Sequence, residues 1–247
     1  MQRLDWMVDS LPLNLAIDEA LLQAAEADQA GEVLRLWEFS EPVVVIGRGS
    51  RVKVEVDLNA CAARRVPVLR RASGGAAILA GPGCLMYSVV LSLRERPELR
   101  RLDAAHQFVM GQLAEQIQKL LPEVDVRGTC DLAWQNRKFS GNSLRVTRDH
   151  LLYHGTLLYA ADLELLASCL KTPPRRPEYR KDREHAAFVT NVPLTAEQLR
   201  EATAEAFAAG QPPATPARLA SLAAGPLERA EQLVVERYAS DAWTFRH

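Results

Sequence analysis

The sequence predicts an α+β fold: a mixed, largely antiparallel sheet flanked by helices. Three observations carry that expectation. Strand-like and helix-like segments are interleaved without the regular alternation of a parallel α/β sheet. Three β-type runs, Asp131–Trp134, Lys138–Val146 and Leu151–Tyr159, are separated only by Gln135-Asn136-Arg137 and Thr147-Arg148-Asp149, the spacing of a meander. A length of 247 residues suits one large domain with a sizeable core.

Asn14 is the expected cap of a first helix running through Leu15, Asp18, Glu19 and Leu22, with acids in its first turn and Gly31 at its exit. Val33–Phe39 reads as a strand, Glu41-Pro42 as a turn and Val43–Ile46 as a second strand. Asp57 opens a short helix ending near Arg65, and Val66–Arg71 is a strand running into the small-residue loop Ala72-Ser73-Gly74-Gly75. Leu85–Leu93 follows as a strand. Asp103 caps a long helix in which Phe108, Leu113, Ile117 and Leu120 recur near the 3.6 period. After the meander, Asp162 starts a short helix that stops at Pro173-Pro174. Thr195 and Gln198 spell a capping box for a helix ending at Gly210. Residues 211–217 are the expected linker to a last helix, Pro226–Ala239, and residues 1–247 read as a single domain.

Thirty basic against 31 acidic residues leave a net charge of −1, which gives no global reason to bind nucleic acid or a membrane surface. Apolar runs such as Val43–Ile46 fall far short of the ~20 residues of a spanning helix. Met1–Trp6 lacks a signal peptide's apolar core. Cysteines 61, 84, 130 and 169 have no CxxC spacing, and histidines 106, 150, 185 and 247 have no metal-ligand spacing. The expectation is a cytoplasmic protein without a side-chain metal cluster.

Chemistry concentrates in three segments. Arg70-Arg71-Ala72-Ser73-Gly74-Gly75-Ala76-Ala77 combines two guanidinium groups with a loop whose backbone N–H groups can converge on an anion; a tight turn beside solvated arginines has the same spelling. No GxxxxGK(S/T) phosphate loop occurs. Lys138, at a strand start before Phe139-Ser140-Gly141-Asn142, can act as a point charge on a developing anion or sit in solvent at a hairpin. His154, in Tyr153-His154-Gly155-Thr156, is a general-base candidate or a hydrogen-bonded core histidine. Cys130 is a nucleophile only if a neighbour lowers its pKa, and otherwise an inert thiol.

Together these segments resemble the lipoate–protein ligase family, a branch of the biotin/lipoate protein ligase catalytic fold. The N-A-x-D-E-x-L helix corresponds to Asn14–Leu21 with one extra residue, and V-x-x-G-R to Val44–Arg48. The R-R-x-S/T-G-G-G-A-V loop corresponds to Arg70–Ile78, with Tyr87-Ser88 downstream. The D-L-x-x-x-x-R/K-K-I/F-S-G segment spans Asp131–Gly141, and H-G-T-L-L spans His154–Leu158. Thr190-Asn191-Val192 and Tyr238–Phe245 also look like the family's, so the match covers nearly the whole chain.

The resemblance implies activation of lipoate by ATP, with Mg, as lipoyl-AMP, followed by transfer to a lysine of a lipoyl domain of a 2-oxoacid dehydrogenase complex or of glycine cleavage H protein. Lys138 is then the catalytic residue. Trp37, Arg70, Ser73, Gly74, Gly75, Ala76, His154 and Gly155 are acyl-site residues. Arg71, Ala77, Asp131, Lys138, Ser140 and Gly141 face the nucleotide, with Asp131 near Mg. Four departures stand out. Ala76 replaces a third glycine, Leu79-Ala80-Gly81 stands where many ligases have a histidine, and Pro173–Pro177 is proline-rich in the adenylate-loop region. The match also leaves no room for the small accessory domain of many ligases, which implies a separate accessory protein. Two alternatives accompany this reading. One is an ATP-independent octanoyl or lipoyl transferase with Cys130 as thioester nucleophile. The other is a non-catalytic lipoate-binding protein.

Overall fold

A computed structural model describes residues 1–174, 176–208, 214 and 216–247, with side chains from 222 onward in the last stretch. The chain opens with a strand the sequence reading lacks, β1 (Gln2–Asp5). Helix α1 (Leu11–Glu26) starts before Asn14: Ser10 is its cap and accepts from the Leu13 N–H at 3.4 Å. Asn14 is instead buried inside the helix, where its amide bonds the Val8 backbone in both directions. The first turn therefore holds no acid, and Gly31 lies beyond the helix end at Glu26. Strands β2 (Val33–Trp37) and β3 (Val43–Ile46) follow, every residue buried. Helices α2 (Val52–Glu55) and α3 (Leu58–Ala63) come next, the latter capped by Asp57.

Strand β4 (Val68–Arg70) leads into the small-residue loop, then β5 (Ile78–Ala80) and β6 (Cys84–Ser92). Helix α4 (Leu102–Gln118) is capped by Arg101, not Asp103, which sits in the first turn where its charge suits the dipole. Leu113 and Ile117 are buried, whereas Leu120 lies past the helix end and is exposed. Strands β7 (Val124–Arg127), β8 (Asp131–Trp134), β9 (Arg137–Val146) and β10 (His150–Leu158) form the meander. Helix α5 (Leu163–Cys169) ends before the prolines because Leu170 turns extended and bridges Val56.

After α6 (His185–Phe188), both capping-box bonds open α7 (Ala196–Ala206): Thr195 accepts from the Gln198 N–H and Gln198 accepts from the Thr195 N–H. Gly210 and most of the expected linker, 211–213 and 215, lie outside the described residues. Helix α8 (Pro216–Leu233) begins ten residues before Pro226, which sits inside it. Packing against α1 outweighs the backbone donor that proline lacks. A π turn (Val234–Tyr238) and α9 (Asp241–Thr244) complete the chain.

The large sheet has the order β1-β2-β6-β10-β9-β8-β7, with β1–β2 parallel and every other pair antiparallel. A small sheet, β4-β3-β5, carries the small-residue loop between β4 and β5. Strands β2, β6 and β10 are buried on both faces, which explains their near-continuous apolar runs. A register shift between β8 and β9 leaves Phe139 without a cross-strand partner while Lys138 pairs with Ala133. Such a bulge re-aims neighbouring side chains, here at Lys138.

Candidate active site

Both sheets line a cleft of about 590 Å³, open mouth included, which lies in the size range of small-molecule sites. Leu15, Trp37, Val45, Ile78 and Met86 supply an apolar wall. Arg71, Lys138, Asn142, Ser143, His154, Thr156 and Asp18 supply polar groups, and Gly75-Ala76-Ala77 one edge.

The loop edge is set by close backbone approach. A side chain at Gly47 would place its Cβ 1.9 Å from the Gly75 carbonyl oxygen, so only glycine fits there. Gly75 has φ +84°, the left-handed conformation that glycine adopts without a steric penalty. Ala76 has no positive φ, so a methyl in place of a hydrogen brings no left-handed backbone strain there.

Arg71 is buried and props the loop from inside. It donates to the carbonyls of Val45, Gly74 and Ala76 and to Ser73 Oγ, and burial pulls its pKa down to about 10. No carboxylate lies within 4.0 Å of it among the described residues, with Glu55 acting only from farther off, so an anion in the cleft would meet a buried charge that has no direct ion-pair partner.

Lys138 reaches the cleft by folding over Gly141, where a Cβ would lie 2.7 Å from Nζ. Its ammonium pairs with Asp131 Oδ1 at 2.6 Å, and Tyr179 donates to Asp131 Oδ2 at 2.9 Å. His185, on the neighbouring α6, is pushed down to about 4 by burial and by the Arg180 and Lys138 charges.

Opposite the loop, Ser73 Oγ lies 2.5 Å from His154 Nε2, and His154 Nδ1 lies 3.3 Å from Asp18 Oδ2. Asp18 also binds Arg35 at 2.7 Å and accepts from Ser88. Burial would raise the Asp18 carboxyl, but Arg35, His154 and Ser88 outweigh it and hold the group below the ordinary carboxylate value. The order serine–histidine–carboxylate is that of a nucleophile, its base and an orienting group. Ser73 is buried and does not line the cleft, however, so this chain anchors the loop to α1.

Residues 11–209 match the family model of the lipoyl protein ligase A/B catalytic domain. The chain belongs to that family. Among relatives, octanoyltransferase LipM of Kyrpidia tusciae is 30% identical over 96% of this chain and 95% of its own length. A probable lipoate-protein ligase A of Mycoplasma genitalium is 30% identical over 64% of this chain and 45% of its own length. The fold matches a bi-partite lipoate protein ligase from Thermoplasma acidophilum at TM-score 0.78 and 19% identity, over 99% of this chain and 95% of that one. It also matches a lipoate-protein ligase A solved with ATP at TM-score 0.77 and 19% identity, over 99% and 98%.

Set on this ligase/octanoyltransferase scaffold, the sequence-predicted residues divide. Trp37, Arg71, Gly75, Ala76, Ala77, Lys138, Gly141, His154 and Gly155 converge on the cleft. Arg70 does not, contrary to the expectation that it holds acyl or phosphate oxygens. Its guanidinium is spent on five backbone carbonyls, those of Gly47, Arg48, Ser50, Trp243 and Thr244, and clamps the C-terminal turn to the small sheet. Ser73 and Gly74 shape the loop from behind, and Ser140 Oγ accepts from Asn142 beneath the cleft. Asp131 stands behind Lys138, already engaged by it and Tyr179, which leaves a poor donor set for Mg. No group of three or more metal-ligating side chains occurs among the described residues.

Cys130 also lies off the cleft lining. Its thiol donates to the Asn142 carbonyl at 3.2 Å, and burial together with Asp131 pushes its pKa up. Sequence reasoning missed Asn142, which accepts from the Tyr87 hydroxyl at 2.5 Å and donates to the Cys130 carbonyl. It gave Asp18 no site role, although the adjacent acids Asp18 and Glu19, flanked by Leu15-Ala16-Ile17 and Ala20-Leu21-Leu22, were the available signal. No helix among the described residues is long and apolar enough to cross a membrane.

Proposed function

We propose that this chain is a lipoate–protein ligase that activates lipoate with ATP and transfers the lipoyl group to a lysine of a lipoyl carrier domain. The observation that carries this reading is the pairing of an apolar wall with two cations, Arg71 and Lys138, in one cleft. The wall suits the lipoyl tail, whose four methylenes are worth about 3 kcal/mol when buried. An ammonium at Lys138, which lines the cleft, would face both the carboxylate oxygen that attacks the α-phosphate and the oxyanion that forms when the acceptor amine attacks the acyl carbon. Pyrophosphate leaves in the first step and AMP in the second. Arg71, held by carbonyls and the Ser73 hydroxyl and, among the described residues, by no carboxylate, would offer the remaining positive charge to phosphate oxygens. Magnesium would arrive with ATP, carried on phosphate oxygens.

The bi-partite ligase of Thermoplasma acidophilum, described with its E2 lipoyl domain, supports a ligase of this size working with a lipoyl-domain acceptor and a second protein. The octanoyltransferase LipM relatives, aligned along nearly the whole chain, favour a second reading in which Cys130 carries an octanoyl thioester and ATP is not used. The raised pKa of Cys130 and its hydrogen bond to a carbonyl weigh against it.

One assay separates the two. The protein is incubated with lipoate, Mg·ATP and a lipoyl domain, and in parallel with an octanoyl-carrier protein and a lipoyl domain without ATP. Lipoyl-AMP and a lipoyl mass gain on the acceptor are expected in the first tube. Transfer only in the second, with a hydroxylamine-labile adduct on Cys130, would replace the ligase reading by the transferase one.

A further inference from the structure

The Gly74–Ala76 loop continues outward into a basic surface that the acyl chemistry does not use. The Arg48 N–H donates to the Ser73 carbonyl at 2.7 Å, and Ser50 Oγ donates to the Gly75 carbonyl at 3.1 Å. The Arg246 guanidinium donates to the Arg48 carbonyl and lies 4.1 Å from the ring centroid of Trp243. Arg237 approaches the same ring at 5.2 Å. Arg48, Gly74, Gly75, Ala76 and Arg246 are all exposed, so one strip of surface runs from these arginines to the edge of the cleft.

Charge on this strip is unbalanced. Arg237 is paired with the buried Glu19, but among the described residues no carboxylate lies within 4.0 Å of Arg48 or Arg246. Burial and the neighbouring Arg48 and Arg237 charges depress the Arg246 pKa, as expected of cations held together without a counter-ion. A chain of net charge −1 has no general surplus of positive charge to place here. Two exposed arginines are also too few for useful non-specific binding to nucleic acid, which draws on many phosphate contacts.

We propose that Arg48, Arg246 and Trp243 form a docking surface for an acidic face of the protein that presents the acceptor lysine. The inference rests on the reading of this chain as an enzyme acting on a protein lysine. An incoming lysine has the same charge as Arg71 and Lys138, so its approach is opposed inside the cleft. Carboxylates flanking that lysine on its own protein, set against Arg48 and Arg246 beside the mouth, offset the repulsion and fix orientation. Arg48 uses only its backbone in the loop clamp, which leaves its side chain free for a partner.

The test compares the full-length protein with Arg48→Glu/Arg246→Glu and with Arg48→Lys/Arg246→Lys. Adenylation is read as pyrophosphate release without acceptor, and transfer as mass gain on a lipoyl carrier domain from preformed lipoyl-AMP. The charge-reversed variant is expected to raise KM for the carrier at least about tenfold, with kcat and the KM values for lipoate and ATP unchanged. Added salt should raise the wild-type carrier KM in the same direction, and the lysine variant should keep wild-type values. Replacing the carboxylates beside the acceptor lysine by lysine should cost the wild type as much as the charge reversal does. An unchanged carrier KM in the reversed variant overturns the surface alone. A rise in KM for ATP overturns it in favour of a nucleotide site. A wild-type protein that neither adenylates nor transfers defeats the enzymatic reading and this surface with it.

Discussion

Lys138 Nζ lies 2.6 Å from Asp131 Oδ1, so the one ammonium in the cleft is held by a carboxylate that does not itself line the cleft. Tyr179 fixes the second oxygen of that carboxylate from the other side. A lysine stem is flexible, and this tether restricts where its charge can sit. Lys138→Ala is expected to lower both lipoyl-AMP formation and transfer by at least about 10²-fold in a variant that is still folded, though less stable because Asp131 loses its ion-pair partner. Asp131→Asn keeps the ammonium but loosens it, so a smaller fall in kcat, about tenfold, is expected with KM for lipoate preserved. Separate assays of pyrophosphate release and acceptor mass gain check both, and full activity in Lys138→Ala would remove Lys138 from the chemistry.

Gly155 is tied to the cleft by space. A Cβ there would lie 1.7 Å from Asn142 Oδ1 and 2.9 Å from the Tyr87 ring. Gly155→Ala must displace Asn142, whose amide accepts from Tyr87 and donates to the Cys130 carbonyl. Overpacking of this kind costs about 1–3 kcal/mol. The expected result is a lower melting temperature together with a raised Kd for lipoate in calorimetry. A variant with wild-type stability and affinity would show that Asn142 moves freely.

Much of this was legible in the sequence because it depends on local spelling. The meander followed from two short polar breaks, and the capping box at Thr195 and Gln198 formed as written. The loop of small residues was legible from Ala72-Ser73-Gly74-Gly75 itself, whereas the backbone approach of Gly47 to Gly75 was not. What stayed hidden depends on distant partners. Asn14 spells a helix cap, yet tertiary burial and its bonds to Val8 put it inside the helix. Arg70 and Arg71 are adjacent and chemically identical. Arg70 ends β4 and Arg71 is the first residue beyond it, and the two side chains part there, one to the C-terminal turn and the other to the cleft. No local pattern says which.

That division between the two arginines yields a prediction. Arg70→Ala removes donors from five backbone carbonyls, among them those of Trp243 and Thr244, in a buried environment. Unsatisfied buried groups make such a loss expensive, about 3 kcal/mol or more. Denaturant melts should show that loss. Arg71→Ala should instead raise KM for ATP at temperatures where the variant is folded. Equal catalytic defects in two stably folded variants would contradict the assignment.

Cys130 supplies a prediction of chemical reactivity. Burial and Asp131 raise its pKa, so the thiol stays protonated near neutral pH and becomes thiolate only as pH rises beyond the ordinary cysteine value. Alkylation by iodoacetamide at pH 7 should therefore be slower at Cys130 than at free cysteine, accelerating as the solution is made alkaline. Cys130→Ser should leave ATP-dependent lipoylation within about twofold of wild type, because a ligase asks nothing of this thiol. Fast labelling at pH 7 combined with lost transfer in Cys130→Ser would favour the thioester route.

Acid should unlock the link between α1 and the C-terminal turn. The Glu19 carboxylate is buried and accepts from Tyr238 at 2.6 Å, with Arg145 and Arg237 as ion-pair partners. Burial would raise this carboxyl, but Tyr238, Arg145 and Arg237 together hold it below its unfolded value of 4.5. A depressed native pKa means that the unfolded chain binds the proton more readily. The stabilisation is thus complete above about pH 4.5 and is lost as pH falls through the native pKa. Tyr238→Phe removes one charge-assisted hydrogen bond and is expected to cost about 2 kcal/mol at pH 7. The gap between wild type and variant should narrow as urea melts are repeated at successively lower pH below 4.5, because the protonated carboxyl no longer rewards the hydroxyl as a charged acceptor does. A gap that stays constant with pH would mean that Tyr238 stabilises through packing and not through the Glu19 charge.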